Sequence, residues 1–251
     1  MYGLMQSAAR SLFVVGTDTG VGKTLVACAL LHALAAQGKK VIGMKPVAAG
    51  LEDGHWRDSE ALQAASNCSA PAALVAPYAF EAPVSPHIAA REKSQVIDLK
   101  VIFEAHQALL QHAERVVVEG AGGLMVPLGD GPASASSTGC SALTGLDLLL
   151  ALQIPVVLVV GLRLGCLNHA LLTQQVLQAS GVPCLGWVAN CVDPQMAQRE
   201  ANIASLVRWL QSPHLGTLTW QPGQPGQGGQ PDPAALAREL RLALLPEAWR
   251  A

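Results

Sequence analysis

Short, fully apolar runs alternate with longer stretches of mixed apolar and polar residues along most of this chain. The short runs are typical of strands buried on both faces, and the longer stretches are typical of helices that cover a sheet. The predicted strands are 12–15, 41–45, 115–119, 155–161 and 183–190. The predicted helices are 23–37, a segment from Asp58 onward, 98–112, 146–152, 168–180 and 233–245. This alternation predicts an α/β fold, a doubly wound, mostly parallel sheet with helices on both faces.

Three stretches interrupt the alternation. Residues 70–86 are rich in Pro and Ala and are expected to pack irregularly. Residues 129–145 are small and polar, which indicates a mobile surface loop, either a lid or an insertion without a role. The Pro-, Gly- and Gln-rich run 222–231 indicates a flexible linker before a C-terminal helix that docks onto the domain. A length of 251 residues fits a single domain, 1–251.

Composition narrows the classes of partner and the compartment. Charged residues make up 14% of the chain, the net charge is −2, and Lys and Arg form no cluster, so neither nucleic acid nor a membrane is expected as a partner. Residues 1–11 contain a single Arg and no sustained apolar core, which argues against a signal peptide. The 6 cysteines include no Cys-x-x-Cys pair and are interpreted as reduced thiols, so zinc is not expected and the predicted location is cytoplasmic.

A glycine-rich stretch, residues 16–24, joins the first predicted strand to the first predicted helix. It reads Gly-Thr-Asp-Thr-Gly-Val-Gly-Lys-Thr. Backbone N–H groups of such a loop surround phosphate oxygens, Lys23 reaches the outer phosphates, and the Thr24 hydroxyl can ligate Mg²⁺. Five residues rather than the usual four separate Gly16 from Gly22. A turn that binds nothing is the alternative, but the flanking strand and helix favour phosphate binding and a fold of the P-loop NTPase type.

Charged residues stand at the C-terminal ends of two predicted strands, near the same sheet edge. Lys45 ends the second strand, where it could neutralise a transferring phosphoryl group or simply be a surface lysine. Glu119 stands at the C-terminal end of the third strand and precedes glycines, a position from which a carboxylate holds Mg²⁺ in phosphate-loop proteins. Asp58 and Glu60 begin a helix, where acidic residues serve as partners of the helix dipole or as metal ligands.

The motifs taken together resemble the dethiobiotin synthetase family over about residues 12–220. Besides the glycine-rich stretch, the shared motifs are Met-Lys-Pro-Val-Ala, Ser-Pro-His, Val-Glu-Gly-Ala-Gly-Gly, Leu-Gly-Cys-Leu-Asn-His and Gly-Trp-Val-Ala-Asn. The first motif is moderately specific, and the set in this order is highly specific. The resemblance implies ATP-dependent carboxylation of 7,8-diaminopelargonate with CO₂ and ring closure to dethiobiotin through a carbamic–phosphoric anhydride.

The resemblance also implies roles for individual residues. Lys23 and Lys45 would be the catalytic residues, flanking the γ-phosphate and the carbamate. Mg²⁺ would be held by Thr24, Glu119 and either Asp58 or Glu60. ATP would contact Gly20, Val21, Gly22, Lys23, Thr24, Leu25, Glu119, Gly120, Ala121, Gly122, Asn190, Cys191, Thr219 and Trp220, with Asn190 hydrogen-bonded to the adenine. The diamine substrate would contact Thr19, Lys45, Ala49, Gly165, Cys166 and Asn168.

A homodimer is implied as well, in which the turn 165–168 of one subunit reaches the substrate carboxylate held by the other. Judged from the residues alone, this turn is a simple crossover with Asn168 as the N-cap of a helix. The chain departs from the family pattern at Ala49, where Ser or Thr is usual, at Glu60, where Asp is usual, and at Thr219, which replaces a proline. The 129–145 loop is also longer than usual.

The competing hypothesis is an ATP-driven switch of the partitioning or cell-division type, which shares the fold. Those ATPases place a second lysine early in the loop, where this chain has Asp18, and tend to carry a basic surface that this chain lacks. A related amide-forming synthetase would need a glutamine-hydrolysing domain, which 251 residues do not include. The residues that carry the chemistry therefore favour the synthetase over both alternatives.

Overall fold

Six parallel strands form the central sheet of the computed structural model, which describes residues 10–129, 142–220 and 232–250. The strands are, in chain order, β1 (Ser11–Gly16), β2 (Val41–Met44), β3 (Val47–Ala49), β4 (Tyr78–Phe80), β5 (Arg115–Gly123), β6 (Val156–Gly161), β7 (Cys184–Asn190) and β8 (His214–Leu218). The central sheet has the order β2-β5-β1-β6-β7-β8, and β3 pairs with β4 in a separate small sheet. Since β1 lies between β5 and β6, the loop that follows it opens at the topological switch point of the sheet, where α/β proteins bind ligands.

Helices cover both faces of this sheet. They are α1 (Lys23–Ala36), α2 (Arg57–Ala65), α3 (Ala72–Val75), α4 (Pro86–Glu92), α5 (Leu99–His112), α6 (Gly145–Leu152), α7 (Cys166–Ala179), α8 (Arg199–Trp209), α9 (Pro233–Leu236) and α10 (Glu247–Arg250). Alternate residues of β1 enter two different buried clusters. Phe13 and Val15 pack with residues of α5 to α8, whereas Leu12 and Val14 pack with α1, α2 and the C-terminal segment. The predicted doubly wound α/β fold is confirmed.

Several predicted boundaries are wrong. β5 continues to Gly123, so Glu119 lies in the middle of a strand rather than at its C-terminal end. α7 begins at Cys166 with Gly165 as its N-cap residue, so Asn168 is not the N-cap. The segment 70–86 is more regular than predicted, because it contains α3 and β4. α8 and β8 were not predicted at all.

The predicted continuous helix 233–245 is also wrong. One short helix, α9, and two 3₁₀ turns, Ala237–Glu239 and Leu242–Leu244, occupy this segment instead. The chain is extended at Leu240, and the next N–H, of Arg241, donates to the carbonyl of Leu215 at 2.6 Å. A free edge of β8 therefore outcompetes the helical hydrogen bond. The predicted docking does occur, since Leu236, Leu242 and Trp249 are buried in the second cluster.

Two of the sequence predictions lie outside the described residues. Residues 130–141, most of the small polar stretch 129–145, belong to this group, as does the proposed linker 222–231. Within the three described ranges, no helix is both long enough and apolar enough to cross a membrane.

Candidate active site

The loop between β1 and α1 has the geometry of an anion cradle. Gly20 and Gly22 have left-handed backbone conformations, with φ of 71° and 89°. Gly22 is the N-cap residue of α1, and no side chain caps the first N–H groups of that helix. Those N–H groups and the positive end of the helix dipole remain available for a phosphate. Leu25, in the first turn, packs against the cluster beneath the loop.

Gly22 is required here by a close approach as well as by its backbone angle. A Cβ at this position would lie 2.0 Å from Nδ2 of Asn190. That buried amide, at the end of β7, donates to the carbonyl of Val21 at 2.9 Å. Val21 in turn packs against Gly161, at the end of β6, where an added Cβ would lie 2.9 Å from it. Two neighbouring strands thus support the loop from below.

Lys23 lies folded along the loop. Its Nζ donates to the carbonyl of Asp18 at 2.9 Å, and the residue is buried. Burial lowers the pKa of Lys23 to about 8, and the nearby ammonium of Lys45 acts in the same direction. Two ammonium groups placed close together attract polyanions. The proximity of Lys45, which contributes to the lowered pKa of Lys23, therefore also makes this position suitable for phosphate.

Lys45 is the centre of a buried charge cluster. It follows β2, and its Nζ lies 2.6 Å from Oε1 of Glu119 and 2.8 Å from Oδ2 of Asp58. Burial by itself would lower the pKa of Lys45, but the two carboxylates outweigh that effect and raise it. Lys45 is therefore a permanent cation near neutral pH, held where the C-terminal halves of β2 and β5 meet α2.

The Thr24 hydroxyl joins the same cluster. Its Oγ1 lies 2.9 Å from Oδ1 of Asp58 and 2.9 Å from Oε1 of Glu119. The other oxygen of Glu119, Oε2, is buried without a hydrogen-bond partner in the described residues. Burial raises the pKa of Glu119, and Lys45 offsets only part of that effect. An orphaned buried carboxylate oxygen beside a hydroxyl and a second carboxylate is a donor set of hard oxygens, which fits Mg²⁺.

Asp58 and Glu60 occupy different environments despite their proximity in sequence. Asp58, in the first turn of α2, faces Thr24 and Lys45, and although burial opposes it, the charge of Lys45 lowers the pKa of Asp58. Glu60 is exposed and pairs with Nδ1 of His55 at 3.1 Å. The structure thus brings Asp58, and not Glu60, to the loop. The described residues contain no group of three or more His, Cys, Asp or Glu side chains placed to hold a metal, so the hydroxyl of Thr24 is needed to complete the set.

The residues expected around the nucleotide lie along one edge of the sheet. Within β5, a Cβ on Gly122 would lie 3.5 Å from Oγ1 of Thr19, so the strand passes beside the loop. Gly120 is buried and Ala121 is partly exposed. At the other side, the N–H of Cys191 donates to Leu218 at 3.0 Å and links the ends of β7 and β8.

Thr219 and Trp220 follow β8 directly. The Oγ1 of Thr219 donates to Glu239 at 3.4 Å, and Trp220 has 47% of its surface exposed. Asn190, the residue expected to contact the adenine, points its amide nitrogen at the loop carbonyl of Val21.

The residues expected around the diamine are more dispersed. Ala49 ends β3 and is partly exposed, whereas other expected contacts lie on the chain around the start of α7. Gly165, the N-cap residue of α7, and Asn168, in its first turn, are exposed, whereas Cys166 is buried. Of this set, Thr19 lies in the phosphate loop itself and Lys45 lies beside the loop, next to Asp58 and Glu119.

An ion pair between Arg163 and Asp18 escaped prediction. Arg163 lies in the turn after β6, and its guanidinium donates to Oδ2 of Asp18 in the loop. The two residues are separated by 145 positions, so no local pattern links them. The available signal was the position of Asp18, where switch ATPases carry a lysine, since a carboxylate there calls for a cation from elsewhere in the fold.

Solved structures with the same fold define the class. The chain superposes on MinD of the MinC:MinD cell-division complex from Aquifex aeolicus with a TM-score of 0.52 and 16% identity, covering 85% of this chain and 82% of that one. MinD of Pyrococcus horikoshii, solved with Mg-ADP, gives a TM-score of 0.51 and 16% identity, covering 96% and 91%. At such identities the likeness concerns the fold alone. Fold and loop together define a P-loop NTPase domain.

Sequence comparison is more specific. A family model described as an AAA domain matches residues 10–224. The chain is 51% identical to the ATP-dependent dethiobiotin synthetase of Nitrosospira multiformis, over 84% of this chain and 88% of that protein. It is 46% identical to the protein of the same name from Xanthomonas euvesicatoria pv. vesicatoria, over 92% and 97%. The chain belongs to the dethiobiotin synthetase family.

Proposed function

We propose that this chain is an ATP-dependent cyclo-ligase that converts 7,8-diaminopelargonate, CO₂ and ATP into dethiobiotin, ADP and phosphate. The observation that carries the proposal is the buried Lys45, held between Glu119 and Asp58 beside the phosphate loop. A general ATP switch needs a phosphate loop and a metal site, but it does not need a second buried ammonium from a different strand. The extra cation suits a reaction in which a carbamate and a γ-phosphate, both anionic, must meet.

The reaction proceeds in three steps. One substrate amine attacks CO₂ and loses a proton, which gives a carbamate. A carbamate oxygen then attacks the γ-phosphorus, and the bond to ADP breaks, which gives the carbamic–phosphoric anhydride. Finally the second amine attacks the carbonyl carbon, the C–O bond to phosphate breaks, and the ureido ring closes with release of phosphate and a proton.

The two lysines have separate tasks in this sequence. Lys23, anchored in the loop, contacts the β- and γ-phosphates of ATP. Lys45 approaches from β2 and neutralises the carbamate and the transferring phosphoryl group, where charge accumulates in the transition state. Because both ammonium groups are buried, their fields act in a site of low dielectric and need little rearrangement during the reaction.

Mg²⁺ is the proposed metal, and Thr24, Glu119 and Asp58 are the proposed ligands. The donor set carries two carboxylates and one hydroxyl, the hard oxygen ligands that suit Mg²⁺. When bound, Mg²⁺ would neutralise charge on the β- and γ-phosphates. Glu60 is a weaker candidate than Asp58, because its carboxylate is paired with His55.

The remaining contacts are proposed from the family resemblance and from position. Asn190, Cys191, Thr219 and Trp220 would contact the adenosine end of ATP at the ends of β7 and β8, and Gly120 to Gly122 would lie along the phosphates. The substrate would contact Thr19 and Ala49. Gly20 completes the loop.

A homodimer is proposed, in which Gly165, Cys166 and Asn168 reach the substrate held by the other subunit. Exposed apolar side chains near that turn support it, since Leu164 has 95% and Leu172 59% of its surface exposed. A contact of two such surfaces would bury them. The proposed location is cytoplasmic, which the free thiols of the described cysteines support.

The test follows phosphate release by purified protein with ATP, Mg²⁺ and bicarbonate, with and without 7,8-diaminopelargonate, and detects the ureido product by mass. Phosphate release that requires the diamine and yields dethiobiotin, and that is lost in Lys45→Ala, is the expected result. ATP hydrolysis that is independent of the diamine and yields no product would contradict the proposal and favour the switch ATPase.

A further inference from the structure

The pairing of Arg163 with Asp18 connects the phosphate loop to the turn that follows β6. This turn is held in place independently of the loop. The N–H of Leu162 donates to the carbonyl of Asn190 at 2.7 Å, and the N–H of Cys166 donates to the carbonyl of Arg163 at 3.0 Å. Arg163 therefore projects from a turn that backbone hydrogen bonds hold in place. Its guanidinium pairs with the carboxylate of Asp18, in the loop that follows the adjacent strand β1.

Asp18 accepts three hydrogen bonds, two from residues of the loop and one from Arg163. Its backbone carbonyl accepts the hydrogen bond from Lys23 at 2.9 Å, and its Oδ1 accepts one from the N–H of Thr19 at 2.7 Å. Its Oδ2 accepts the hydrogen bond from Arg163. The carboxylate thus restrains the N–H of Thr19, just before the glycines of the loop. The backbone carbonyl of Asp18 restrains the ammonium of Lys23, which is the group expected to bind phosphate. A side chain that restrains Asp18 restrains both.

Besides restraining the loop, Arg163 neutralises the negative charge of Asp18. A carboxylate beside a phosphate-binding loop would repel an incoming polyphosphate, and Arg163 neutralises it. The two side chains are about equally exposed, 42% for Arg163 and 41% for Asp18, so the pair is open to solvent. Exposed ion pairs add little to folding stability, so a role in stability alone is a weak explanation for it.

We propose that Arg163 is a positioning residue of the phosphate loop, which acts through the carboxylate of Asp18 to hold the loop in the shape that receives ATP. The proposal rests on the proposed function only in taking ATP as the ligand of the loop. Arg163 would raise ATP affinity by pre-ordering the loop and by cancelling the charge of Asp18, without contact to the reacting atoms.

The experiment is a double-mutant cycle of Arg163→Gln and Asp18→Asn. Asn keeps the oxygen that accepts from Thr19 and removes the charge. The affinity for a non-hydrolysable ATP analogue is measured by equilibrium titration, and the KM for ATP and kcat are measured in the synthase assay. Arg199→Gln is the matched control, because Arg199 is similarly exposed, at 39%, and pairs with Glu200 away from the loop.

The expected result is a loss of analogue affinity of about two- to tenfold in Arg163→Gln, the range that a half-exposed charged pair supports, with a parallel rise in KM and little change in kcat. Arg163→Lys restores most of the affinity. The double variant is no weaker than the weaker single variant, because the two residues act as one unit. Thermal unfolding without ligand is the same in Arg163→Gln and Arg199→Gln.

Three results would overturn the proposal. The affinity of Arg163→Gln could equal that of Arg199→Gln, the two losses in the double variant could multiply, or kcat could fall with affinity unchanged. The titration needs no diamine, so its outcome is separate from that of the synthase assay. A wild-type protein that makes no dethiobiotin but shows the coupling would refute the proposed function and leave this inference standing.

Discussion

Replacement of Lys45 by Met tests whether the buried charge cluster is as tightly balanced as its geometry indicates. Lys45 and Glu119 are almost fully buried, with 5% and 1% of their side chains exposed, and their charged atoms are 2.6 Å apart. Removal of one partner from a buried ion pair costs about 3–5 kcal/mol, because the remaining charge loses its compensation. Asp58 is half exposed and retains water, so the cost in Lys45→Met falls mainly on Glu119.

Protonation of Glu119 sets the pH dependence of that cost. Burial already raises the pKa of Glu119 in the presence of Lys45, and loss of the lysine raises it further. The folded variant then binds one proton more than the unfolded chain between the ordinary carboxyl pKa and the raised one. Its free energy of unfolding therefore falls as the pH rises through that window, by about 1.4 kcal/mol for each pH unit.

The assay is urea denaturation of wild type, Lys45→Met and Lys45→Met/Glu119→Gln from pH 5 to pH 8. The single variant is expected to lose about 3–5 kcal/mol at neutral pH and less at acid pH. The double variant recovers most of the loss and shows no such pH dependence, since a neutral amide replaces the carboxylate. Both variants lose synthase activity, by about 10²–10³-fold or more, as expected when a charge that stabilises the transition state is removed.

Lys100→Met is the control, because Lys100 forms an exposed pair with Glu104 at 3.8 Å on α5. It should change stability and activity very little. If Lys45→Met were as stable as this control at neutral pH, or if Glu119→Gln failed to recover the loss, the account of the cluster as a balanced buried pair would be refuted.

Four further predictions concern the loop and the metal. Since burial lowers the pKa of Lys23 to about 8, ATP affinity should fall as the pH rises above about 8 in the wild type but stay level in Lys23→Arg, as measured by titration; a level wild-type curve would contradict this. The same lowered pKa means that the unfolded chain binds more protons above that pH, so the free energy of unfolding should rise with pH there. Gly22→Ala should cost about 1–3 kcal/mol in urea denaturation, since its φ is 89° and its Cβ would lie 2.0 Å from Asn190; Asn190→Gly in the same chain should recover the steric part only. Asp58→Asn should raise the Mg²⁺ concentration for half-maximal phosphate release by about tenfold, roughly 1.4 kcal/mol, whereas Glu60→Gln should not; equal effects would place the metal elsewhere.

Much of the fold and part of the site followed from local pattern. Buried parallel strands are apolar along their whole length, and the helices that cover them have an apolar residue at every third or fourth position. For that reason β1, β5, β6 and β7 and the helices between them were predictable. The phosphate loop was predictable too, because its glycines and Lys23 are adjacent in sequence and each residue type has its own physical reason. The choice of Lys45 and Glu119 came from their places at the C-terminal halves of strands.

Other features depended on contacts between distant residues. β8 and α8 escaped prediction because a short strand of mixed polarity and a helix with two buried side chains, Ile203 and Leu206, give a weak pattern. The C-terminal segment has helical composition, but the free edge of β8 supplies hydrogen bonds that a helix would forgo. β3 and β4 pair with each other across a segment that looks irregular by composition.

The sequence by itself determined most strands of the sheet, the phosphate loop and the positions of the two lysines at strand and loop ends, because each rests on interactions within a few residues or on the period of buried positions. Only the tertiary structure decided which acid joins the loop and what holds it in shape. Asp58 and Glu60 differ by half a helical turn, and the packing of α2 against α1 and β2 directs one carboxylate to Thr24 and the other to His55. Asp18 and Arg163 meet because β6 lies beside β1. Such pairs are set by strand order, which no local pattern contains.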